Sequence, residues 1–415
     1  MNGSCRHCGA ALSRSFCDLG MSPLANSYIS PAQLSLAESY YPLHAFVCSD
    51  CYLVQLQEFE SPQHIFSDYL YFSSYSSSWL KHAERYVQEV SERFGLGASH
   101  QVIEIASNDG YLLQYFQARG VPVLGIEPAA NVAQVAQEKG IPSLAEFFGT
   151  GLAKRLVAEG RRADLLIGNN VLAHVPDLND FVQGLKALLS PTGLITLEFP
   201  HLLRLMQQNQ FDTIYHEHFS YFSLLTVERV FKAHGLRVFD VEELSTHGGS
   251  LRIFATHVEG ASHQQSAAHQ QSQRVDALRR QEGDAGLARL ETYADFEQQV
   301  QRTKRNLLTF LIQAKEQAKS VVAYGAPAKG NTLLNYCGAG TDLIDYTVDL
   351  SPHKQGKLLP GTRIPIFAPS RIAETKPDYL LVLPWNLRME ITSQMAQVRE
   401  WGGRFVFPIP RLEVD

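Results

Sequence analysis

The chain has 415 residues, 45% of them hydrophobic and 19% charged, with a formal net charge of −6. That length exceeds one ordinary core and predicts two or three domains of roughly 100–200 residues each. The acidic balance argues against a nucleic-acid partner, no apolar run of about 18 residues argues for a membrane span, and the start MNGSCRHCGA lacks a secretory layout, so the cytoplasm is expected.

Six cysteines are too sparse for a disulfide scaffold. Four of them form two close pairs, Cys5-x2-Cys8 and Cys48-x2-Cys51. Thiolates at this spacing converge on one ion, and two pairs complete the closed tetrahedral shell of a structural zinc site. With no position left for water, the metal holds a fold together and takes no part in catalysis. His7 and Cys17 read as bystanders, and the rival reading is a set of free buried thiols. The segment between the pairs is aromatic (Tyr28, Tyr40, Tyr41, Phe46) and short of lysine, as expected of a cap that packs on protein.

From Gln101 short apolar runs alternate with amphipathic stretches: VIEIA, GYLLQYFQARG, VPVLGIEP, NVAQVAQEKG. This predicts strand, helix, strand, helix and a parallel sheet. The turn EIASNDG, Glu104 to Gly110, sets small and polar residues where the chain bends and a ligand can approach the backbone. Glu127 ends the second strand, where a carboxylate can accept from both ribose hydroxyls. The turn is not G-x-G-x-x-G and makes little provision for a pyrophosphate, so an adenosyl ligand without phosphates fits better. These features resemble the class I S-adenosylmethionine-dependent methyltransferases. The resemblance implies a Rossmann-like α/β fold whose donor is bordered by Glu104, Ser107, Asn108 and Gly110, by Glu127 and Pro128, and by Asn169 and Asn170 after the fourth strand, DLLIGNN. For Glu104 the alternative is a structural acceptor for backbone amides. A fifth strand, ITLEFP, starts at Ile195.

Tyr215-His216-Glu217-His218 follows. Several titratable groups in one apolar neighbourhood cost desolvation unless they are paired or used, so proton transfer is the first reading. His218 is the candidate base, with Glu217 or Tyr215 to orient or polarise it. A metal shared by His216 and His218 along an extended segment is the rival, without a third ligand or H-E-x-x-H spacing.

The polar stretch ASHQQSAAHQQSQR, 261–274, reads as a helical connector. Beyond it Val321 to Tyr324 runs into GAPAKGNT, a strand, a small-residue turn and a helix start, where free amides and Lys329 can hold a diphosphate. A plain turn is the alternative. His353, Lys354 and Lys357 are basic enough to meet a nucleotide diphosphate, or else form a solvated loop, and Trp385 follows a strand where α/β sheets offer side chains to ligands.

Together the cysteine knuckle, YHEH, YGAPAKGNT and VDLSPHKQGKLLPGT resemble the sugar C-methyltransferases that act on nucleotide-linked keto-deoxysugars. The resemblance spans nearly the whole chain. It implies His218 as base, Glu217 and Tyr215 lining the sugar, His174 beside the substrate as enolate stabiliser, and Tyr69 as an amino-terminal catalytic tyrosine, with Tyr71 competing for that place. It also brings Asn331 into the substrate set with Lys329. A backbone-bonded loop histidine is the plain alternative for His174, and packing is that for Tyr69. The expected organisation is a zinc-binding cap at 1–65, a methyl-donor domain at 66–258 and a second Rossmann-like α/β domain at 259–415 for the nucleotide sugar. The expected activity is methylation of a carbon beside the ketone of a nucleotide-linked, dTDP-type 4-keto-deoxysugar. An O- or N-methyltransferase and a noncatalytic zinc-containing binder are the other classes.

Overall fold

The computed structural model describes residues 3–61, 72–258 and 271–415. Tyr69 and Tyr71 lie outside the described residues, as does most of the polar connector, whose end meets the helix Gln273–Asp284.

Among the described residues the strands form three sheets. The first begins with β1 (Arg14–Ser22), β2 (Tyr41–Val47) and β3 (Val54–Leu56), paired antiparallel in that order. The second contains β4 (Val102–Ile105), β5 (Val123–Ile126), β6 (Ser143–Leu144), β7 (Ala163–Asn169) and β8 (Leu189–Pro200). Next comes the short β9 (Ser220–Tyr221), which leaves this sheet and joins the edge of β3. Then β10 (Leu236–Leu244) and β11 (Ser250–His257) complete the second sheet in the order β10-β11-β8-β7-β4-β5-β6. β4 to β8 run parallel and β11 is antiparallel to both neighbours. This is the Rossmann-like sheet of a class I methyltransferase. Its order reverses between β4 and β7, which opens a crevice beyond their carboxyl ends.

The chemistry of β4 explains its central place. All four residues, Val-Ile-Glu-Ile, are buried, as a parallel strand covered on both faces requires. The helix Ser77–Phe94 covers one face with His82, Ala83, Tyr86, Val87 and Val90 at helical spacing. Ser76 caps it by accepting from the Trp79 amide at 3.3 Å, and Gly95 at φ 66° ends it.

The third sheet has β12 (Val321–Tyr324), β13 (Thr347–Val348), β14 (Ile366–Phe367), β15 (Tyr379–Val382), β16 (Arg404–Phe407) and β17 (Glu413–Val414), in the order β14-β13-β12-β15-β16-β17. It is parallel except at β17, so the second Rossmann-like unit read from the sequence is present.

The three regions share cores. Cys5, Leu12, Cys48 and Leu53 of the cap pack in one apolar cluster with Leu178, Phe181 and Phe222 of the donor domain. Phe16, Leu43 and Val54 pack in another with Phe211, Phe296 and Leu333. The first sheet is thus wedged between the two Rossmann-like units. No helix among the described residues is long and apolar enough to cross a membrane.

Candidate active site

A cavity of about 930 Å³ opens beyond the carboxyl ends of β4 and β7 and is walled by all three regions. Its donor side is built by backbone conformation. Ala106 (φ 56°) and Asn108 (φ 49°) take the left-handed region in the turn after β4, where Gly110 (φ 77°) is pressed against Ile141. Glu127 closes the turn, with Oε2 accepting from the Asn108 amide at 3.0 Å and Oε1 from the Ala129 amide at 2.9 Å. Burial raises its pKa against those two bonds. Asn108, Glu127, Pro128, Asn169 and Asn170 line the cavity, whereas Glu104, Ser107 and Gly110 do not. Glu104 and Ser107 are fully buried beneath the turn, and burial drives the Glu104 carboxyl well above its ordinary range. This wall, with apolar Ile105 and Ile126 beside a ribose-type carboxylate, fits an adenosyl group.

The YHEH segment is a tight turn, not the extended strand that its alternating histidines suggest: the His218 amide donates to the Tyr215 carbonyl at 2.8 Å. The residues after it hold it in place. β9 pairs with β3, and the Leu56 amide donates to the Phe219 carbonyl at 3.0 Å. The Phe219 amide donates to the Ala173 carbonyl at 2.7 Å, which draws the turn Leu172–His174 alongside. The His174 and His218 rings lie 4.7 Å apart at 75° as a result.

The His218 ring has a defined tautomer. Nδ1 is 2.8 Å from the Thr213 carbonyl, which can only accept, so Nδ1 carries the proton. Nε2 is then the basic nitrogen, and the Tyr215 hydroxyl donates to it at 2.9 Å. Burial above all, then neighbouring His174, holds the His218 pKa well below its ordinary value, and burial lowers that of His174 to about 4. Both imidazoles are neutral at pH 7. Glu217 moves the other way, since burial pushes its carboxyl up to about 7 against a 2.6 Å hydrogen bond from Asn26 Nδ2. The His216 ring faces the Pro42 carbonyl at 3.2 Å and Tyr41, so it shares no ion with His218.

From the third region come Lys329, Lys354 and Lys357. Lys329 stands in the first turn of the helix Ala328–Cys337, its ammonium 4.7 Å above the Trp385 ring and 2.5 Å from Asn386 Oδ1. Trp385 does not line the cavity; its indole N–H donates to buried Asp212 at 2.7 Å and its ring backs Lys329. Asn331 is also off the cavity and donates to the Ala25 carbonyl at 2.6 Å, which ties the cap to this helix. His353 lies outside the lining and stacks beside Tyr75, ring centroids 6.4 Å apart.

Two wall residues escape sequence reasoning. Asn26 arrives from the cap and carries no motif. His247, in Thr-His-Gly-Gly, holds φ 53°, pairs through Nε2 with Asn170 Nδ2 at 3.1 Å and meets Trp79 edge-on at 5.3 Å. Burial lowers its pKa to about 4. A histidine before two glycines was the one available signal.

Away from the cavity, the sulfur atoms of Cys5, Cys8, Cys48 and Cys51 all lie within 4.8 Å of one another, with Cys5–Cys51 and Cys8–Cys48 at 3.5 Å. A tetrahedron with zinc–sulfur bonds of about 2.3 Å has edges of about 3.8 Å, so the four thiols fit the ion. His7 instead pairs with Asn179 at 3.2 Å, and Cys17 is buried in the adjoining core.

The chain resembles known families along its length. Residues 5–66 match a family described as "Putative zinc binding domain", 79–241 a "Methyltransferase domain" and 245–410 a "C-methyltransferase C-terminal domain". The C-methyltransferase NovU of Streptomyces niveus is 36% identical over 410 residues, covering 99% of this chain and 96% of that protein. The chain belongs to the C-methyltransferase family. This C-methyltransferase is an S-adenosylmethionine-dependent enzyme with a zinc-binding amino-terminal domain. A stretch of the chain is also similar to the ubiquinone biosynthesis O-methyltransferase of Bartonella tribocorum, 27% identical over 96 residues, 23% of this chain and 39% of that one. Among solved structures, an S-adenosylmethionine-dependent methyltransferase from Clostridium acetobutylicum covers 43% of the chain and 92% of its own, at 11% identity and a TM-score of 0.35.

Proposed function

We propose that this C-methyltransferase methylates the carbon beside the ketone of a nucleotide-linked 4-keto-deoxysugar, of dTDP type, with His218 as the base. The observation that carries the reading is the His218 tautomer: a neutral imidazole with its basic Nε2 defined, in the same cavity as the donor-side Glu127. Bonding carbon to a methyl group requires a carbon nucleophile, hence removal of a proton made acidic by a neighbouring carbonyl.

In this reading His218 Nε2 takes the proton, the C–H electron pair passes to the ketone oxygen as an enolate, and the Thr213 carbonyl steadies the imidazolium through Nδ1. Glu217, its carboxyl raised by burial to about 7, and His174 face the developing oxyanion, where donors in a water-poor site count most. S-Adenosylmethionine, held by Asn108, Glu127, Pro128, Asn169 and Asn170 over the buried Glu104, Ser107 and Gly110, supplies an electrophilic methyl carbon on a sulfonium. Tyr215 lines the sugar, and its hydroxyl returns to Nε2 once the imidazolium has released its proton to solvent. Lys329, Lys354 and Lys357 give the diphosphate end a positive wall, and Tyr69 is proposed as a further catalytic group from the segment before Ser73. The four cysteines hold zinc for structure only. The domain limits 1–65, 66–258 and 259–415 belong to the same proposal.

The test is His218→Asn assayed on a panel of nucleotide-linked 4-keto-deoxysugars with labelled donor. Methyl transfer and solvent-deuterium exchange beside the ketone should both vanish while donor binding, read by calorimetry, stays close to that of the parent. Near-normal turnover refutes the base assignment. Methyl transfer by the parent enzyme onto oxygen or nitrogen, without deuterium exchange, would instead favour heteroatom methylation.

A further inference from the structure

The loop 24–29 of the zinc-binding region reaches 191 residues along the chain to touch the YHEH turn. Asn26 Nδ2 donates to Glu217 Oε1 at 2.6 Å. The loop is fastened on its other side to the carboxyl-terminal unit. Asn331 Nδ2 donates to the Ala25 carbonyl at 2.6 Å, the Tyr28 hydroxyl to the Ala326 carbonyl at 2.6 Å, and Ile29 and Leu358 exchange backbone bonds at 3.0 and 2.8 Å. The Tyr28 hydroxyl, its one proton given to the Ala326 carbonyl, lies 3.3 Å from Asn26 Oδ1, and Nδ2 is the end of the amide that faces the carboxyl. A donor so held can serve only an unprotonated oxygen, because a carboxyl O–H would oppose it.

We infer that Asn26 is a positioning residue of the active site, whose amide reserves Oε1 of Glu217 as an acceptor so that the acidic proton resides on Oε2. This rests on the proposed use of Glu217 in the enolate chemistry. The chain thereby selects one of two equivalent carboxyl oxygens, and the zinc-binding region supplies part of the catalytic apparatus besides packing on it. The hydrogen bond also tempers the rise that burial imposes on the carboxyl, which otherwise would stand above about 7.

Glu217 can be titrated without substrate, in the zinc-loaded full chain, from the infrared carboxyl band that is present in the parent and lost in Glu217→Gln. Asn26→Ala should move that titration upward by about one pH unit. Asn26→Asp leaves the bonds of Ala25, Tyr28 and Ile29 to the carboxyl-terminal unit in place and sets acid against acid; the pair should then titrate in two separated steps. In turnover the alkaline limb should follow the same shifts, with kcat falling more than KM. A Glu217 titration equal to the parent's in either folded variant overturns the inference, even where Glu217→Gln and His218→Asn abolish turnover. Full activity of Glu217→Gln would instead remove the reading of Glu217 on which it rests.

Discussion

The hydroxyl of Tyr215 stands 2.9 Å from Nε2 of His218, three residues along the same turn, while the other ring nitrogen is held at 2.8 Å by the Thr213 carbonyl. One nitrogen is committed to backbone and the other to a group that can be displaced. An imidazole held this way is pre-oriented, and under the proposed function it receives a proton once substrate moves the phenol aside.

Tyr215→Phe removes the partner of Nε2 and leaves the ring contact, whose centroids are 4.1 Å apart. Methyl transfer should fall by about 100-fold, at the lower end of general acid–base effects. The donor's dissociation constant should change little, because Tyr215 lies on the turn and not in the wall around Glu127. Steady-state kinetics with donor binding by calorimetry separate the two. An unchanged kcat would mean the hydroxyl is only a packing group.

Stability should fall on the acid side through the buried histidines. His174 and His247 have folded pKa values of about 4 against an ordinary 6.5, so below pH 6.5 the unfolded chain binds protons that the folded chain refuses. The stability they permit is complete above pH 6.5 and is lost as pH falls toward about 4. Glu217 works in the opposite sense, since its raised carboxyl favours the folded state as pH drops from about 7 to 4.5. A single-site comparison isolates one term: the denaturation midpoint of His247→Asn should fall less steeply between pH 6.5 and 4 than that of the parent. Equal slopes would deny that burial holds His247 neutral.

Removal of zinc should act on structure first. Cys5, Cys48 and Cys51 are buried, and Cys5 and Cys48 belong to the cluster that joins the cap to the donor domain. A structural ion contributes folding free energy directly. Scanning calorimetry with a strong chelator should show a lower melting temperature, with the loss of turnover tracking unfolding. Because β9 hangs on β3, the YHEH turn should loosen in the same transition. Loss of methyl transfer in a chain whose melting is unchanged would place zinc in the chemistry instead.

Much of the architecture was legible because its signals are local. Cysteine spacing, the four buried residues of β4 and the small residues of EIASNDG each report on a handful of neighbours. The acid at Glu127 and the YHEH row likewise announce themselves. The second set of readings required contacts across the fold. Alternation in Tyr-His-Glu-His suggests a strand, yet the pairing of β9 with β3 and the bond from Phe219 to Ala173 close it into a turn. Trp385, Asn331 and His353 carry ligand-like chemistry by sequence, but Asp212, the Ala25 carbonyl and Tyr75 are their neighbours.

The sequence by itself determined the four-thiol cluster, the two Rossmann-like units and the presence of a row of titratable side chains at 215–218, since backbone propensity and short-range spacing suffice for these. Only the tertiary structure decided that His218 offers Nε2, that His174 lies against it and that Asn26 holds Glu217. Each of those depends on residues brought together from far along the chain, where burial sets the protonation state and a single carbonyl sets the tautomer.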